Sequence, residues 1–204
     1  MKKNYLSNLI KSEDPYLHYE SAGGSIPIDF ANALSKIKFK HAPSADSYTG
    51  TRADYKNSRL FLKKDGNFSK EIHAEVSYLD SDDFKKELSE LFEVDFYDTR
   101  LRVELVEDTD GFFQVPHLDV TQKRITWLTY LGNSNDVGDV GTDIYNEEKE
   151  IVKSATFEYN NALIFFPGKN TWHGFTKGKR IISKRRTLII NYVTRDWRDV
   201  HELV

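Results

Sequence analysis

Two histidines and one aspartate are the residues of this sequence whose types and spacing best suit chemistry. His117 and Asp119 are two positions apart, and His173 follows much later, between Trp172 and Gly174. Two imidazoles and one carboxylate form the facial triad, a ligand set that binds iron(II) on one face and leaves the other positions open for substrate and oxygen. The sequence therefore predicts a mononuclear iron(II) site, and with it an enzyme.

The spacing of His117 and Asp119 fits a β-strand. Residues i and i+2 of a strand point to the same face, so both side chains can face one opening while Leu118 turns away. A His-x-Asp pattern alone also occurs by chance in surface turns, but the second histidine and the arginines that follow it favour the metal site. The remaining histidines lie in polar or mixed segments and are predicted to be surface residues: His18, His41, His73 and His201.

A candidate anion site follows His173, where a strand is predicted to begin at Arg185 and Arg186. Strand alternation puts Arg185 and Thr187 on one face and Arg186 on the other. An arginine that points into a protein interior needs an anion, and a carboxylate is its natural bidentate partner. We therefore expect Arg185 and Thr187 to bind a carboxylate, and Arg186 to be solvated at the strand edge.

The composition excludes several classes of protein. There are no cysteines, so disulfides and thiolate metal ligands are excluded. The net charge of −3 gives no basic footprint, so nucleic acid is not an expected partner. No long apolar run follows the basic first residues, which predicts no signal peptide, no membrane span and a cytoplasmic protein. A length of 204 residues suits one domain.

Secondary-structure patterns place these residues on strands that follow a helical region. A helix is predicted over 82–92, with an apolar stripe of Phe84, Leu88, Leu91 and Phe92 and a cap at Asp80 or Ser81, and a shorter one over 28–37. Residues 41–57 are predicted to be a polar loop. Strands are predicted over 101–106, 112–120, 125–131, 155–159, 162–166 and 187–193. Many short strands after a helix predict a mainly β fold with flanking helices, a double-stranded β-helix of the jelly-roll, cupin-like type. Residues 1–96 are expected to flank a core over 97–195 within one domain.

In this order, the elements resemble the iron(II)- and 2-oxoglutarate-dependent dioxygenase superfamily, close to its prolyl-hydroxylase-like branch. The resemblance covers residues 101–193, and it includes His117-x-Asp119, the strand that ends in Leu128-Thr129-Tyr130-Leu131, Trp172-His173-Gly174 and Arg185-x-Thr187. It implies that His117, Asp119 and His173 bind Fe(II) and that Arg185 pairs with the distal carboxylate of 2-oxoglutarate. Tyr130 can reach the same carboxylate, although a place in the barrel wall also explains it.

The implied activity is oxidation of a small molecule or peptide by O2, with release of succinate and carbon dioxide. Asp119 distinguishes the sequence from related halogenases, which carry a small residue there. Two alternatives stay open: a metal-dependent cupin enzyme that does not use 2-oxoglutarate, and a jelly-roll protein that binds metal without turnover.

The sequence also departs from the family pattern and leaves the substrate open. Val140 replaces the first of two usual glycines, and Asp143 stands where leucine is common. Substrate selection is expected from Arg102, which a surface pair with Glu104 or Asp110 would equally explain. The other expected contributors are the 49–57 and 133–142 loops and two aromatic residues, Phe113 and Trp127.

Overall fold

Two antiparallel sheets with flanking helices form the protein in a computed structural model that describes residues 4–39 and 58–204. In chain order the elements are β1 (Leu9–Ser12), β2 (His18–Ser21), α1 (Ile28–Ser35), β3 (Arg59–Phe61), α2 (Lys70–Leu79), α3 (Asp82–Phe92), β4 (Arg100–Asp108), β5 (Gln114–His117), β6 (Lys123–Tyr130), α4 (Ser134–Val137), β7 (Asp143–Tyr145), β8 (Ile151–Ser154), β9 (Ala162–Phe165), β10 (His173–Phe175), β11 (Arg185–Val193) and a 3-10 turn (Val200–Glu202). The larger sheet has the order β1-β2-β9-β6-β11-β4-β3, and the smaller has the order β5-β10-β7-β8. The predicted mainly β, jelly-roll class is confirmed.

The central strands β4, β6 and β11 alternate between two environments, because successive side chains of a strand point to opposite faces. On one face, Leu101, Trp127 and Ile190 belong to a hydrophobic core that also includes side chains of α1, α2 and α3. On the other face, Leu128 and Ile189 belong to a second core shared with the smaller sheet. The helices thus cover one face of the larger sheet, and the other face is turned toward the smaller sheet.

The helix predicted over 82–92 is confirmed at the same bounds, but one face of it was predicted incorrectly. Ser81 is its N-cap, with Oγ accepting from the amide of Phe84 at 3.2 Å. Leu91 is exposed, and Lys85 is buried instead, with Nζ donating to the carbonyl of Thr99 at 3.1 Å. A lysine can take a core position when its apolar stem packs and its ammonium group finds an acceptor.

Several other elements differ from the prediction. The helix predicted over 28–37 ends at Ser35, and α2, capped by Ser69, was not predicted. The strand predicted over 112–120 is only Gln114–His117, so Asp119 lies just beyond it. The strand predicted over 155–159 is a loop in which the Glu158 amide bonds back to Thr156, and the neighbouring strand is β8. Residues 41–57, predicted to be a polar loop, lie outside the described residues.

The surface prediction for the histidines fails at His18. Its side chain is fully buried in β2, and Nδ1 lies 2.8 Å from the carbonyl of Tyr16. His201 is exposed as expected, His73 is half-buried on α2, and His41 is outside the described residues. Among those residues, no helix has both the length and the apolar character needed to cross a membrane.

Candidate metal centre

His117, Asp119 and His173 lie together in the lining of one cavity. Each offers a ligand atom, and these atoms all lie within 4.8 Å of one another. β5 and β10 are neighbouring strands of the smaller sheet, paired with His173 opposite His117, so the pairing brings the imidazole rings to 4.2 Å between centroids. Asp119 reaches the cluster from the turn after β5, with Oδ2 3.9 Å from Nε2 of His173.

Backbone carbonyl groups fix the orientation of both imidazole rings. Nδ1 of His117 lies 2.9 Å from the carbonyl of Val115, and Nδ1 of His173 lies 3.0 Å from the carbonyl of Thr171. A carbonyl oxygen only accepts, so each Nδ1 carries the proton and each Nε2 keeps its lone pair for a metal. Both histidines therefore have the tautomer that an Nε2-ligating histidine requires.

The electrostatics of the cluster favour the protonation states that bind a metal. Burial alone would raise the pKa of Asp119, but the charges of Lys123 and His173 and hydrogen bonds from Lys123 and Thr126 hold it well below its usual range. Burial lowers the pKa of His173 to about 4, against the opposing attraction of Asp119. At neutral pH the cluster thus offers a carboxylate and a neutral imidazole, the forms in which these groups ligate metals.

Arg185 is buried at the start of β11, and its guanidinium has three hydrogen-bond partners from β4 and from the loop before β7. Nε donates to the carbonyl of Val140 at 2.7 Å, Nη1 to Oδ2 of Asp108 at 2.9 Å and Nη2 to Oγ1 of Thr142 at 3.2 Å. The ring of Phe175 lies 4.9 Å from its guanidinium carbon. The sequence led us to expect a guanidinium that awaits an anion, and Asp108 already supplies one negative charge. Because any residue type has a carbonyl, Val140 in place of a glycine is compatible with this contact.

The loop that clasps Arg185 requires one glycine. A Cβ on Gly141 would lie 1.6 Å from the carbonyl oxygen of Ala155, so no larger residue fits there. Next to it, the amide of Thr142 donates to the phenol of Tyr130 at 3.2 Å. The ring centroid of Tyr130 lies 5.7 Å from the guanidinium carbon of Arg185.

Thr187 carries an unsatisfied hydroxyl two residues after Arg185 on the same face. Its side chain is buried, and within the described part of the chain Oγ1 has no hydrogen-bond partner. Buried hydroxyls are normally paired, so an unpaired one beside a guanidinium indicates a ligand with an acceptor atom. Arg185 and Thr187 are therefore suited to bind a carboxylate group at one end of a ligand, as expected from their alternation along the strand.

One cavity of about 620 Å³ joins the cluster to these side chains. Arg185, Thr187 and Thr142 line it together with the three cluster residues. The other lining residues include a charged and aromatic group: Arg59, Arg102, Glu104, Trp197 and Glu202. Ligand sites of 300–1,000 Å³ are usual for small molecules, so the cavity can hold an organic acid together with part of a second molecule.

Solved structures with this fold are found at low sequence identity. A prolyl-4-hydroxylase from Pseudomonas putida is 12% identical over 67% of this chain and 71% of its own, with a TM-score of 0.51. A prolyl hydroxylase from Trichoplax adhaerens, in complex with a peptide fragment of a hypoxia inducible factor oxygen degradation domain, is 18% identical over 81% of this chain and 76% of its own, with a TM-score of 0.52. The fold is that of the prolyl hydroxylases. No protein-family model and no curated protein sequence matches the chain.

Within this prolyl-hydroxylase fold, five of the six predicted site residues line the cavity, and Tyr130 is fully buried outside its lining. Three predictions about neighbouring residues were wrong. Arg186 is not solvated at the strand edge: Nη2 lies 2.6 Å from Oε2 of Glu107, and the side chain also donates to a carbonyl of α1. Trp127 does not line the cavity but is fully buried in the core against the helices, with Nε1 donating to Oγ of Ser25 at 2.8 Å. Phe112, rather than Phe113, is among the lining residues.

Arg102 lines the cavity and pairs with Glu104, as one alternative expected, but the pair is buried rather than at the surface. Asp110, the other partner considered, instead accepts from the amide of Ile181 at 3.0 Å. No pattern in the sequence indicates that Glu202, a hundred positions later, also binds Arg102.

Three residues close to the cluster were also missed. Nζ of Lys123 donates to Oδ1 of Asp119 at 2.6 Å, and Oγ1 of Thr126 donates to Oδ2 at 2.5 Å. The amide nitrogen of Gln114 lies 3.3 Å from Nε2 of His117. Proximity in sequence was the available signal, since all three lie within seven positions of a predicted ligand.

Proposed function

We propose that the protein is an iron(II)- and 2-oxoglutarate-dependent dioxygenase that oxidises a small molecule or a peptide. The observation that carries the proposal is the joint presence, in one cavity, of a two-histidine, one-carboxylate cluster and of a buried arginine with an unpaired hydroxyl beside it. A cofactor-free binding protein would have no reason to bury both groups facing the same space.

In this proposal His117, Asp119 and His173 hold Fe(II) through two imidazole nitrogens and one carboxylate oxygen. Bound iron would supply the activation of O2 that side chains cannot provide, coupled to conversion of 2-oxoglutarate into succinate and carbon dioxide. Arg185 and Thr187 would bind and orient the distal carboxylate of 2-oxoglutarate. The apolar rings of Phe112 and Phe175 would exclude water from that end of the cavity.

The fold relation to a prolyl hydroxylase solved with a peptide fragment supports including peptides among the candidate substrates. Small molecules stay equally open, because the cavity volume suits either a free metabolite or one side chain of a peptide. A panel of candidate substrates can distinguish the two classes, since the rate of turnover would depend on flanking residues only for a peptide substrate.

The test is an anaerobic titration of 2-oxoglutarate into protein loaded with Fe(II). We expect a weak visible charge-transfer absorption to appear and to saturate with 2-oxoglutarate. When O2 is then admitted, succinate should be released, and one compound of a panel of amino acids, peptides and other metabolites should accelerate the release. His117→Ala should abolish both signals.

A folded, iron-loaded protein that gives no such absorption would overturn the 2-oxoglutarate assignment and favour a cupin enzyme without that co-substrate. Failure to load iron at all would overturn the metal site. Absorption without succinate under O2 would favour the binding protein that the sequence left open.

A further inference from the structure

Three polar residues stand in one row across the larger sheet, in the layer that faces the cavity. Thr126 of β6 is the register partner of Asn191 of β11, and Asn191 is the register partner of Arg102 of β4. All three are buried, with 0–4% of their surface exposed. A lateral row of directly opposed residues brings side chains close enough to interact across strands.

These residues form a hydrogen-bond chain that runs in one direction toward Asp119. Nη1 of Arg102 donates to Oδ1 of Asn191 at 3.0 Å, Nδ2 of Asn191 donates to Oγ1 of Thr126 at 3.2 Å, and the Thr126 hydroxyl donates to Oδ2 of Asp119 at 2.5 Å. A cation therefore stands at the donor end and a carboxylate at the acceptor end. Chains of this polarity strengthen each of their bonds in a low-dielectric interior.

The orientation of the Asn191 amide is fixed by a fourth contact. Nδ2 also donates to the carbonyl of Ile125 at 3.1 Å. A flipped amide would set its oxygen against that carbonyl and its NH2 group against the guanidinium of Arg102, and neither pairing can form a hydrogen bond. Only the observed orientation connects Arg102 with Thr126.

Two carboxylates hold the far end of the chain. Nε of Arg102 donates to Oε2 of Glu202 at 2.6 Å, and Nη2 donates to Oε2 of Glu104 at 2.7 Å. Glu202 belongs to the 3-10 turn, and the adjacent Leu203 forms a β-bridge with Arg102. Each nitrogen of the guanidinium thus has a hydrogen-bond partner, and the two carboxylates hold it against Asn191.

We propose that Thr126, Asn191 and Arg102 are positioning residues that fix the carboxylate of Asp119 for metal binding. This inference rests on the proposed function, because it assigns Asp119 to the metal. Oδ2, the oxygen that Thr126 holds, is also the one nearer to Nε2 of His173. The hydroxyl prevents the carboxylate from rotating about its Cβ–Cγ bond, while Lys123 holds the other oxygen.

The test replaces Thr126 by valine, which keeps the shape of the side chain and removes its hydroxyl. Mn²⁺ is used as the probe, because it takes the same nitrogen and oxygen ligands and its free concentration can be read from its electron paramagnetic resonance signal. Removing an outer-shell partner of this kind typically weakens metal binding by about 10- to 100-fold, and we expect Thr126→Val to fall in that range. Thr126→Ser restores the hydroxyl and should bind Mn²⁺ nearly as tightly as the wild type.

Thr129 supplies the matched control. It is a buried threonine of the same strand whose hydroxyl contacts Oγ of Ser25 at 2.7 Å, on the helix side of the sheet. Thr129→Val should lower thermal stability about as much as Thr126→Val and leave Mn²⁺ affinity unchanged. Asn191→Leu, if it folds, should weaken Mn²⁺ binding in the same direction as Thr126→Val, since it interrupts the chain one step earlier.

Equal Mn²⁺ affinity in wild type and Thr126→Val would overturn the positioning role, as would failure of Thr126→Ser to restore it. If the wild type then still gives the 2-oxoglutarate absorption, the proposed function survives and only the positioning role falls. If His117→Ala binds Mn²⁺ as tightly as the wild type, the metal site is wrongly assigned, and both the positioning role and the proposed function are refuted.

Discussion

Replacing Arg185 by lysine is expected to weaken 2-oxoglutarate binding strongly and to leave metal binding intact. Lysine keeps the positive charge opposite Asp108 but replaces a planar fork by a single ammonium group. Alanine would be less informative, because it would also break the buried pair with Asp108, whose Oδ2 lies 2.9 Å from Nη1. Breaking such a pair costs about 3–5 kcal/mol of fold stability.

The size of the effect follows from the donors of the guanidinium. Nη1 and Nη2 each carry two N–H groups, and each makes one side-chain contact, to Asp108 and to Thr142. One N–H on each of these nitrogens is therefore left for a bidentate pair with a ligand carboxylate. Loss of one hydrogen bond to a charged group costs about 1.5–3 kcal/mol. Since about 1.4 kcal/mol is a factor of ten, the dissociation constant of 2-oxoglutarate should rise roughly 10- to 150-fold.

Arg186→Lys is the matched control. Arg186 is the next residue on the same strand, but it faces the helix side and pairs with Glu107. Anaerobic titrations of 2-oxoglutarate into the Fe(II)-loaded variants, followed by visible absorption, measure both dissociation constants. Mn²⁺ titrations of the same proteins check that the metal site is unaffected.

An unchanged dissociation constant in Arg185→Lys would refute the role of this guanidinium. If Arg186→Lys weakens 2-oxoglutarate binding and Arg185→Lys does not, the two arginines are assigned to the wrong faces, because a shift of one residue exchanges the faces of a strand. Loss of Mn²⁺ binding in Arg185→Lys would show that the substitution disturbs the cluster rather than the co-substrate.

Three further substitutions test other parts of the structure. Burial alone would raise the pKa of Asp143, but hydrogen bonds from its neighbours outweigh burial and lower that pKa. Asp143→Asn should therefore lower the free energy of unfolding in urea by about 1.5–3 kcal/mol at pH 7. The difference from wild type should shrink as the pH falls below the ordinary aspartate pKa of about 4, and a constant difference would contradict this. Gly174→Ala would place a Cβ 2.7 Å from the carbonyl oxygen of Gln114, so it should push β10 away from β5. We expect it to lower stability by about 1–3 kcal/mol in thermal unfolding and to weaken Mn²⁺ binding. A variant with unchanged stability and Mn²⁺ affinity would contradict the pairing of these two strands. Trp127→Phe removes the hydrogen bond to Ser25 and should lower stability by about 1 kcal/mol. The substrate that best accelerates succinate release should stay the same. A change in that preference would mean that Trp127 does contribute to the substrate site.

In the described part of the chain, the three long strands were all predicted from the sequence, whereas five of the eight shorter ones were not. β4 and β11 have nine residues each and β6 has eight, so alternation is visible over four or more repeats. β3 and β7 have only three residues and were missed, because three residues carry no measurable period. The strand predicted over 155–159 was wrong because its buried residues, Ala155 and Phe157, belong to a loop that packs on the second core.

The candidate site divides in the same way between local and long-range information. The types of His117, Asp119 and His173 alone indicated a metal, and strand alternation assigned Arg185 and Thr187 to one face. Asn191 also carried a signal, because an amide in the apolar run 188–193 must find partners if the strand is buried. The pairs of Arg185 with Asp108 and of Arg102 with Glu202 join distant parts of the chain, and no local pattern indicates them.

The pairing of charges around the cavity bears on how a ligand would be selected. Lys123 is paired with Asp119, and Arg185 with Asp108, before any ligand binds. A simple anion therefore gains little from net positive charge at either place. Under the proposed function, a molecule that ligates the metal at one end and accepts hydrogen bonds from Arg185 and Thr187 through a carboxylate at the other end would gain from both contacts, because the first contact makes the second intramolecular. In that function, the spacing between the metal cluster and the pair Arg185 and Thr187 would then select a dicarboxylate of matching length, and the unpaired hydroxyl of Thr187 would add to that selection.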